Sequence, residues 1–254
     1  MLNQITPLIL TYNEAPNIDR ALQKLTWASR IVVIDSYSTD ETLNLAAAYP
    51  QTEVFQRKFD THTNQWNFGI EQVKTDWILS LDADYALSDN LLNELKLLSP
   101  PENVDGYFAS FQYCVFGKPL RGTILPPRQL LFRKVSSIYV DDGHTQLLTV
   151  KGKSSSLTGS VLHDDRKPLS RWLWAQDRYM VIEAEKLLKT PDIELSIGDR
   201  LRKLKLIAPF VVLLYCLLLK GGILDGWRGW YYAFQRMFAE ILLSLKLMEK
   251  QSVE

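Results

Sequence analysis

Ile78-Leu79-Ser80-Leu81-Asp82-Ala83-Asp84 is the stretch whose reading decides the fold. Three large apolar residues around one serine read as a buried parallel strand, and two carboxylates one residue apart stand where that strand ends. Two acids held so close repel unless a cation lies between them. In an open α/β sheet, ligands sit in the crevice beyond the carboxyl ends of the strands. A few oxygen ligands there suit Mg²⁺ or Mn²⁺ shared with a phosphate-bearing substrate. The alternative is a strand-end turn that uses Asp as a cap.

The bulk composition permits this reading. A chain of 254 residues, 46% hydrophobic and 23% charged, can bury a full core as one main domain with an appendage. Its 29 basic residues balance 29 acidic ones, which argues against a nucleic-acid binder, because phosphate-backbone affinity needs a basic surplus. Cys114 and Cys216 are far apart in apolar settings, so neither a disulfide framework nor a cysteine zinc site is indicated and a reducing compartment is expected. Met1-Leu2-Asn3-Gln4 lacks the basic start and apolar run of a signal peptide, so no export signal is expected.

Outward from the acid pair, the pattern repeats. Ile5 to Leu10 is a β-type run ending in the polar Thr11-Tyr12-Asn13-Glu14, after which Ile18, Ala21, Leu22 and Leu25 recur at helical spacing. Ile31 to Ile34 is a second run ending at Asp35, followed by Ser36 to Thr42, a loop rich in capping residues, and an Ala-rich helix over 43–49. Glu53 to Phe55 predicts a third strand, 64–74 a helix, and Trp77 to Leu81 the strand that carries the acids. Alternation at this spacing implies a mostly parallel sheet with crossover helices, with each polar loop at a strand's carboxyl end and facing one crevice.

In order and spacing, Thr11-Tyr12-Asn13-Glu14, then Val33-Ile34-Asp35-Ser36 with Ser38-Thr39-Asp40, then Leu81-Asp82-Ala83-Asp84 resemble the family 2 inverting glycosyltransferases of the GT-A fold. The resemblance covers about residues 5–190 and is nearest to the lipopolysaccharide-core glucosyltransferase group. It implies a Rossmann-like, mixed but mostly parallel α/β sheet. By position, Thr11, Tyr12, Glu14 and Asp35 would hold the base and ribose of a nucleotide donor. Asp84 would bind the cation that bridges the donor diphosphate, and Asp82 would sit nearer the ribose or the metal's water shell. Two departures stand out: Gln65-Trp66-Asn67 replaces the group's Gln-Arg-Asn, and Tyr85 stands where an acid commonly follows. Asn67 is carried over as a donor-binding residue, and Arg57 or Lys58 is the candidate replacement for the missing arginine's pyrophosphate contact.

Downstream, Gly106 to Phe116 and Leu130 to Arg133 read as strands of the mixed half of the sheet, with Arg121, Arg128 and Arg133 nearby as donor or acceptor ligands or ordinary surface charges. Inverting transfer needs one group to take the acceptor hydroxyl's proton. Asp142, in Tyr139-Val140-Asp141-Asp142-Gly143-His144-Thr145, is the first choice and Asp141 the second, against an Asx turn. The resemblance supports this by region only, since relatives carry His-Glu here and this chain has His144-Thr145. His163, in Leu162-His163-Asp164-Asp165, would complete the metal's shell by the same resemblance; the alternative is a histidine that merely enters the helix over 169–188. Trp172 and Trp174 on that helix are candidates for acceptor stacking or core.

Residues 199–254 form a helical appendage to a catalytic domain over 1–198. Leu206 to Leu219 is apolar throughout but shorter than the roughly 20 residues needed to cross a bilayer. Trp227, Trp230, Tyr231, Phe234, Met237, Phe238, Ile241, Leu242, Leu245 and Met248 then recur at three and four, with Arg228, Arg236, Lys246 and Lys250 on other faces. Such a helix lies in a membrane interface, or packs as a hairpin on the catalytic domain or on a second copy in a homo-oligomer. The resulting expectation is a hexosyltransferase using a nucleotide-diphosphate sugar, UDP-linked by resemblance. Its acceptor would be a cell-envelope glycan or lipid-linked saccharide at the cytoplasmic face of the membrane. The competing expectations are a nucleotidyltransferase, against which no Gly-rich basic phosphate loop opens the chain, and a nucleotide-sugar-binding protein without activity.

Overall fold

β-Branched and leucine-rich runs make the parallel core of the sheet, as seen in a computed structural model that describes residues 1–142 and 145–252. The first strands are β1 (Ile5–Thr11), β2 (Ile31–Asp35), β3 (Thr52–Gln56) and β4 (Trp77–Asp82). They are followed by β5 (Tyr85–Leu87), β6 (Val104–Val115), the two-residue β7 (Lys118–Pro119) and β8 (Arg128–Arg133). Next come β9 (Ser137–Asp142), β10 (Thr145–Val150) and β11 (Lys153–His163). The main sheet runs β3-β2-β1-β4-β8-β6-β11-β5. β1 to β4 are parallel, β8 enters antiparallel to β4 and β6, and β11 lies parallel to β6.

Register then does the positioning. Thr11 pairs with Asp35, Leu10 with Asp82 and Asp35 with Gln56, so one row across the carboxyl ends collects the polar residues. At the far edge, β5 turns straight back after the acid pair and pairs antiparallel with β11, setting His163 opposite Tyr85.

Helices α1 (Ile18–Gln23), α2 (Thr42–Ala47), α3 (His62–Gln72) and α4 (Asp89–Leu97) make the crossovers. Thr61 and Ser88 cap α3 and α4 by accepting from the backbone N–H of Asn64 and Leu91. One core joins α1 and α4 to the sheet through Leu22, Leu91 and Leu95 with Ile9, Leu79 and Leu131. A second, on Leu8, Ile34, Ile78 and Phe132, is covered by Trp66 and Ile70 of α3 and by Tyr139 and Leu148 of the separate β9–β10 hairpin. Asp141 and Asp142 are the last two residues of β9, paired with Gln146 and Thr145 of β10, and the facing Tyr139 and Leu148 give this hairpin its buried side. Gly159 of β11 lies so near α4 that a Cβ would stand 2.3 Å from Leu91 Cα, so the helix can approach only a glycine.

Two units divide the chain: Met1–Gly117 with Leu125–Arg166, and Lys118–Ile124 with the chain from Lys167 onward. The boundary therefore falls before α5 (Leu169–Lys189), not after residue 198. Ala184 and Leu187 of α5 bury against Leu243 and Leu247 of α8 (Trp227–Ser252), which makes α5 part of the helical unit. Arg202 of α6 (Ile197–Lys203) locks the same helices together, bonding Glu183 at 3.0 Å and Glu240 at 3.2 Å. α7 (Ala208–Leu214) passes into a π-helical turn at Tyr215–Leu219. No helix among the described residues is long and apolar enough to cross a membrane.

Candidate active site

The loops after β1 and β2 are fastened to each other. Asp35, with no solvent exposure, accepts from Thr11 Oγ1 at 3.0 Å, Ser38 N at 2.9 Å, Gln56 Nε2 at 3.2 Å and the Ser38 hydroxyl. Asn13 N donates to Ser38 Oγ at 2.9 Å, and Thr39 N donates to Asn13 Oδ1 at 2.8 Å. Asn13 and Tyr37 both take left-handed backbone, at φ 55° and 60°. Strained non-glycine residues of this kind collect where surrounding bonds fix a binding loop. Tyr12 and Tyr37 are left exposed on these loops. The sequence singled out Tyr12 but missed Tyr37, whose signal is the left-handed turn that only the backbone reveals.

Thr11 and Asp35, expected from the sequence to hold the base and ribose, are bonded to each other as buried braces of the loop, with the carboxylate already bonded to four donors. Glu14 lies at the entry to α1, where Asn17 Nδ2 donates to Glu14 Oε2 at 2.8 Å and to Asp165 Oδ1 at 2.9 Å. Asn17 Oδ1 in turn accepts from Arg166 N and Arg20, and Asp164 accepts from Arg166, Arg20 and Gly117 N. This knot ties the segment after β11 to the first loop, and Asp164 N donates to Asp84 O at 3.0 Å to close it. The sequence carried no sign of Asn17 or Arg20 as site-building residues, because their partners lie far along the chain.

At the other end of the row stand the acids. His163 Nε2 lies 3.1 Å from Asp84 Oδ2. The ring is wedged edge-on between Tyr85 and Tyr113, with centroids 5.1 and 5.0 Å away, and its Nδ1 finds no hydrogen-bond partner among the described residues. Burial opposes a charge on His163, but the charges of Asp84 and Asp82 and the bond to Asp84 outweigh it and raise its pKa. Burial first, and then the charge of Asp84, push the Asp82 carboxyl up, with Arg128, the Tyr85 hydroxyl and His62 pulling the other way. Tyr85, a departure in the sequence, therefore serves as a buried neighbour of both acids, its own hydroxyl pushed well above the ordinary tyrosine range by burial and by Asp82.

A carboxylate oxygen and an imidazole nitrogen meeting at strand ends fit a divalent cation that takes its remaining ligands from phosphate oxygens and water. Among the described residues no group of three His, Cys, Asp or Glu is placed to hold an ion.

Asn67, carried over as a donor-binding residue, spends its carboxamide elsewhere: its Nδ2 donates to Tyr139 O at 2.9 Å and its Oδ1 accepts from Tyr139 N at 3.0 Å, so it acts as one more strand residue along the edge of β9. Arg57, the substitute for the missing arginine, is gripped by Asp60 at 2.8 and 2.9 Å and by Gln65 Oε1 at 2.7 Å. Arg133 bonds Asp105 at 3.0 Å and covers Trp77, leaving Arg128 as the sequence-flagged arginine whose charge reaches Asp82. Asp141 is exposed at the end of β9. Asp142 is its last residue, and its side chain lies outside the described residues, as do Gly143 and His144.

The sequence profile of Glycosyl transferase family 2 matches residues 8–146. The chain belongs to that family. A family 2 glycosyltransferase domain accounts for the row of polar strand ends just described, and the match spans every one of them except His163. An uncharacterized glycosyltransferase of Rickettsia bellii is 34% identical over 110 residues, covering 43% of this chain and 37% of the relative. The chain thus spans well under half the length of that relative. The lipopolysaccharide core biosynthesis glycosyltransferase LpsC of Rhizobium meliloti is 23% identical over 248 residues, covering 91% of this chain and 89% of that one. Among solved structures, the mannosyltransferase PcManGT from Pyrobaculum calidifontis, in complex with GDP-Man and Mn²⁺, aligns over 96% of this chain and 87% of its own. Its TM-score of 0.55 at 15% identity establishes the GT-A fold for this family 2 member.

Proposed function

We propose that this family 2 protein is a metal-dependent inverting glycosyltransferase that moves a hexose from a nucleotide-diphosphate sugar to a cell-envelope glycan or lipid-linked acceptor. The observation that carries the reading is the meeting of Asp84 and His163 at 3.1 Å, beside Asp82, at the carboxyl edge of a parallel sheet. Asp84 and His163 would hold Mg²⁺ or Mn²⁺, which when bound supplies positive charge to the departing diphosphate. The protein's own residues do the rest. The braced loops after β1 and β2 present Tyr12 and Tyr37 to the base, with Thr11, Glu14 and Asp35 fixing their shape and polarity. Arg128 adds a cation beside the acids. Asp142, with Asp141 as the alternative, takes the proton of the attacking acceptor hydroxyl.

The donor reading is a uridine nucleotide, by the resemblance of the first two loops. Similarity to LpsC, named for lipopolysaccharide core biosynthesis, along most of both chains supports the envelope acceptor, and a place at the inner face of the membrane completes the proposal. The test is turnover of UDP- and GDP-sugars with Mn²⁺. Asp84→Ala should lower it by at least about a hundredfold, and equal turnover in that variant would overturn the metal assignment. Thermal shift across UDP-, GDP- and dTDP-sugars at equal concentration ranks the donors, since a ligand of the folded state stabilises it by RT ln(1 + [L]/Kd).

A further inference from the structure

The helical unit is apolar on the wrong side for a domain surrounded by water. In α8, Tyr232, Ala233, Ala239, Leu243 and Leu247 are buried, whereas Trp227, Trp230, Phe234, Phe238, Ile241 and Leu245 form an exposed stripe at helical spacing. α7 and its π-helical continuation repeat the inversion. Ala208, Pro209, Cys216 and Leu217 face inward, and Leu206, Phe210, Leu214 and Leu218 face out, at 54 to 72% exposure. The two outward faces are continuous, because Leu206 and Phe210 line one apolar cleft with Ile241 and Leu245. Leu219 and Leu224 extend it at 78 and 66% exposure. Soluble monomers rarely leave contiguous apolar patches beyond a few hundred Å² open to water.

Charge on the patch is one-sided, although the chain as a whole is neutral. Between Leu204 and Ala239 the basic residues are Lys205, Lys220, Arg228 and Arg236, and the single acid is Asp225. Asp225 is neutralised by Arg121 at 3.3 Å and is itself largely covered. Lys220, Arg228 and Arg236 have no carboxylate partner among the described residues, and Lys220 and Arg228 lie over the rings of Tyr215 and Trp227. Apolar side chains flanked by Trp, Tyr and unpaired cations are what a helix needs to lie in the interface of an anionic leaflet.

We infer that the outward face of α7, the π-helical turn and the first half of α8 is a docking surface for an anionic lipid bilayer, into which Phe210, Leu214, Leu218 and Trp227 insert without crossing. Insertion fits the absence, among the described residues, of a helix able to span. The inference deepens the proposed membrane location and rests on it for the acceptor, while the surface itself stands on its own observations.

The test is co-sedimentation of the full chain with vesicles of phosphatidylcholine, with and without phosphatidylglycerol, alongside donor turnover. Phosphatidylglycerol should strengthen binding by about fivefold for each engaged cation, and Lys220→Glu with Arg228→Glu should remove that gain. Phe210→Gln, Leu214→Gln and Leu218→Gln together should weaken binding by at least about a hundredfold, while turnover of a soluble donor stays unchanged. Val135→Gln, at an isolated apolar residue 89% exposed in the other unit, should change neither. Native protein that stays off both kinds of vesicle, binds both equally, or forms a stable dimer that shields these side chains would overturn the inference. Vesicle binding by a protein without transferase activity would uphold the surface and remove the functional reading instead.

Discussion

Replacing Asn67 by alanine separates a structural role from a ligand role at a single residue. The carboxamide makes two bonds to one residue, donating to Tyr139 O at 2.9 Å and accepting from Tyr139 N at 3.0 Å. Tyr139 stands opposite Leu148 in the hairpin, its ring stacks on Trp66 at 5.2 Å, and its hydroxyl reaches Ser80 Oγ at 3.0 Å. Truncation at residue 67 leaves one backbone N–H and one C=O without partners. Each such group costs about 1–3 kcal/mol when buried. The bonds are only part-buried and water can enter the gap, so the lower end applies, about 2 kcal/mol for the pair. Urea denaturation should show that loss, and hydrogen exchange at the Tyr139 amide should quicken by about thirtyfold. Asn67→Asp should cost at least as much, because a carboxylate can still accept from Tyr139 N but sets a negative charge against Tyr139 O. Nucleotide-sugar affinity of the folded variant should stay within about twofold of the native value, a shift of about 0.4 kcal/mol. An unchanged unfolding midpoint together with lost nucleotide binding would refute the reasoning and restore Asn67 as a ligand.

At the metal pair, His163→Ala should raise the Mn²⁺ concentration needed for half-maximal turnover by at least about tenfold, and an unaltered requirement removes His163 from the cation's shell. Chelation should abolish turnover, with activity returning on addition of Mn²⁺; activity that survives chelation contradicts the cation's role. Gly69→Ala should destabilise by about 1–3 kcal/mol, since its Cβ would stand 2.7 Å from Leu8 Cδ1 and 3.1 Å from Ile34 Cγ1, and a neutral result by calorimetry would mean that α3 shifts freely on the sheet. Burial works against the Asp40 carboxylate, but bonds from the Thr42 hydroxyl and from the Thr42 and Ala15 amides outweigh it and hold its pKa below the usual range. A depressed folded pKa gives stability that is present above the unfolded value of about 3.9 and lost as pH falls through the folded one. The stability gap between native protein and Asp40→Asn should therefore close in acid, and a gap constant from pH 7 down to about pH 2 contradicts that assignment.

How far the sequence could be read depended on whether a residue's partner was near it in the chain. The strands over 5–11, 31–35 and 77–82 were legible because each is a continuous apolar run with a polar end. Helix 169–189 was legible because its period extends over several turns. Asn17, Arg20 and Tyr37 were not legible. The first two act through residues more than a hundred positions away, Asp165 and Asp164, and the third through a left-handed backbone that no residue type announces. The bonds of Asn67 to Tyr139 were not legible either, because an asparagine that mimics a strand partner looks, in sequence, like one that binds a ligand. The unit boundary was misplaced because the period of α5 shows that it has an apolar face but does not name the helix that covers it.

The sequence by itself determined the alternation of strand and helix, the polar strand ends, and the Asp82–Asp84 pair, since all of these follow from local periodicity and from where an apolar run stops. Tertiary structure alone decided that His163 meets Asp84, because that contact depends on the antiparallel register of β5 on β11. It alone also decided which face of α8 is covered. An amphipathic period fixes that a helix has an apolar stripe, but only packing shows whether the stripe is turned inward, and here Tyr232, Ala233, Ala239 and Leu243 occupy the inner side while Trp227, Trp230, Phe234 and Phe238 face out.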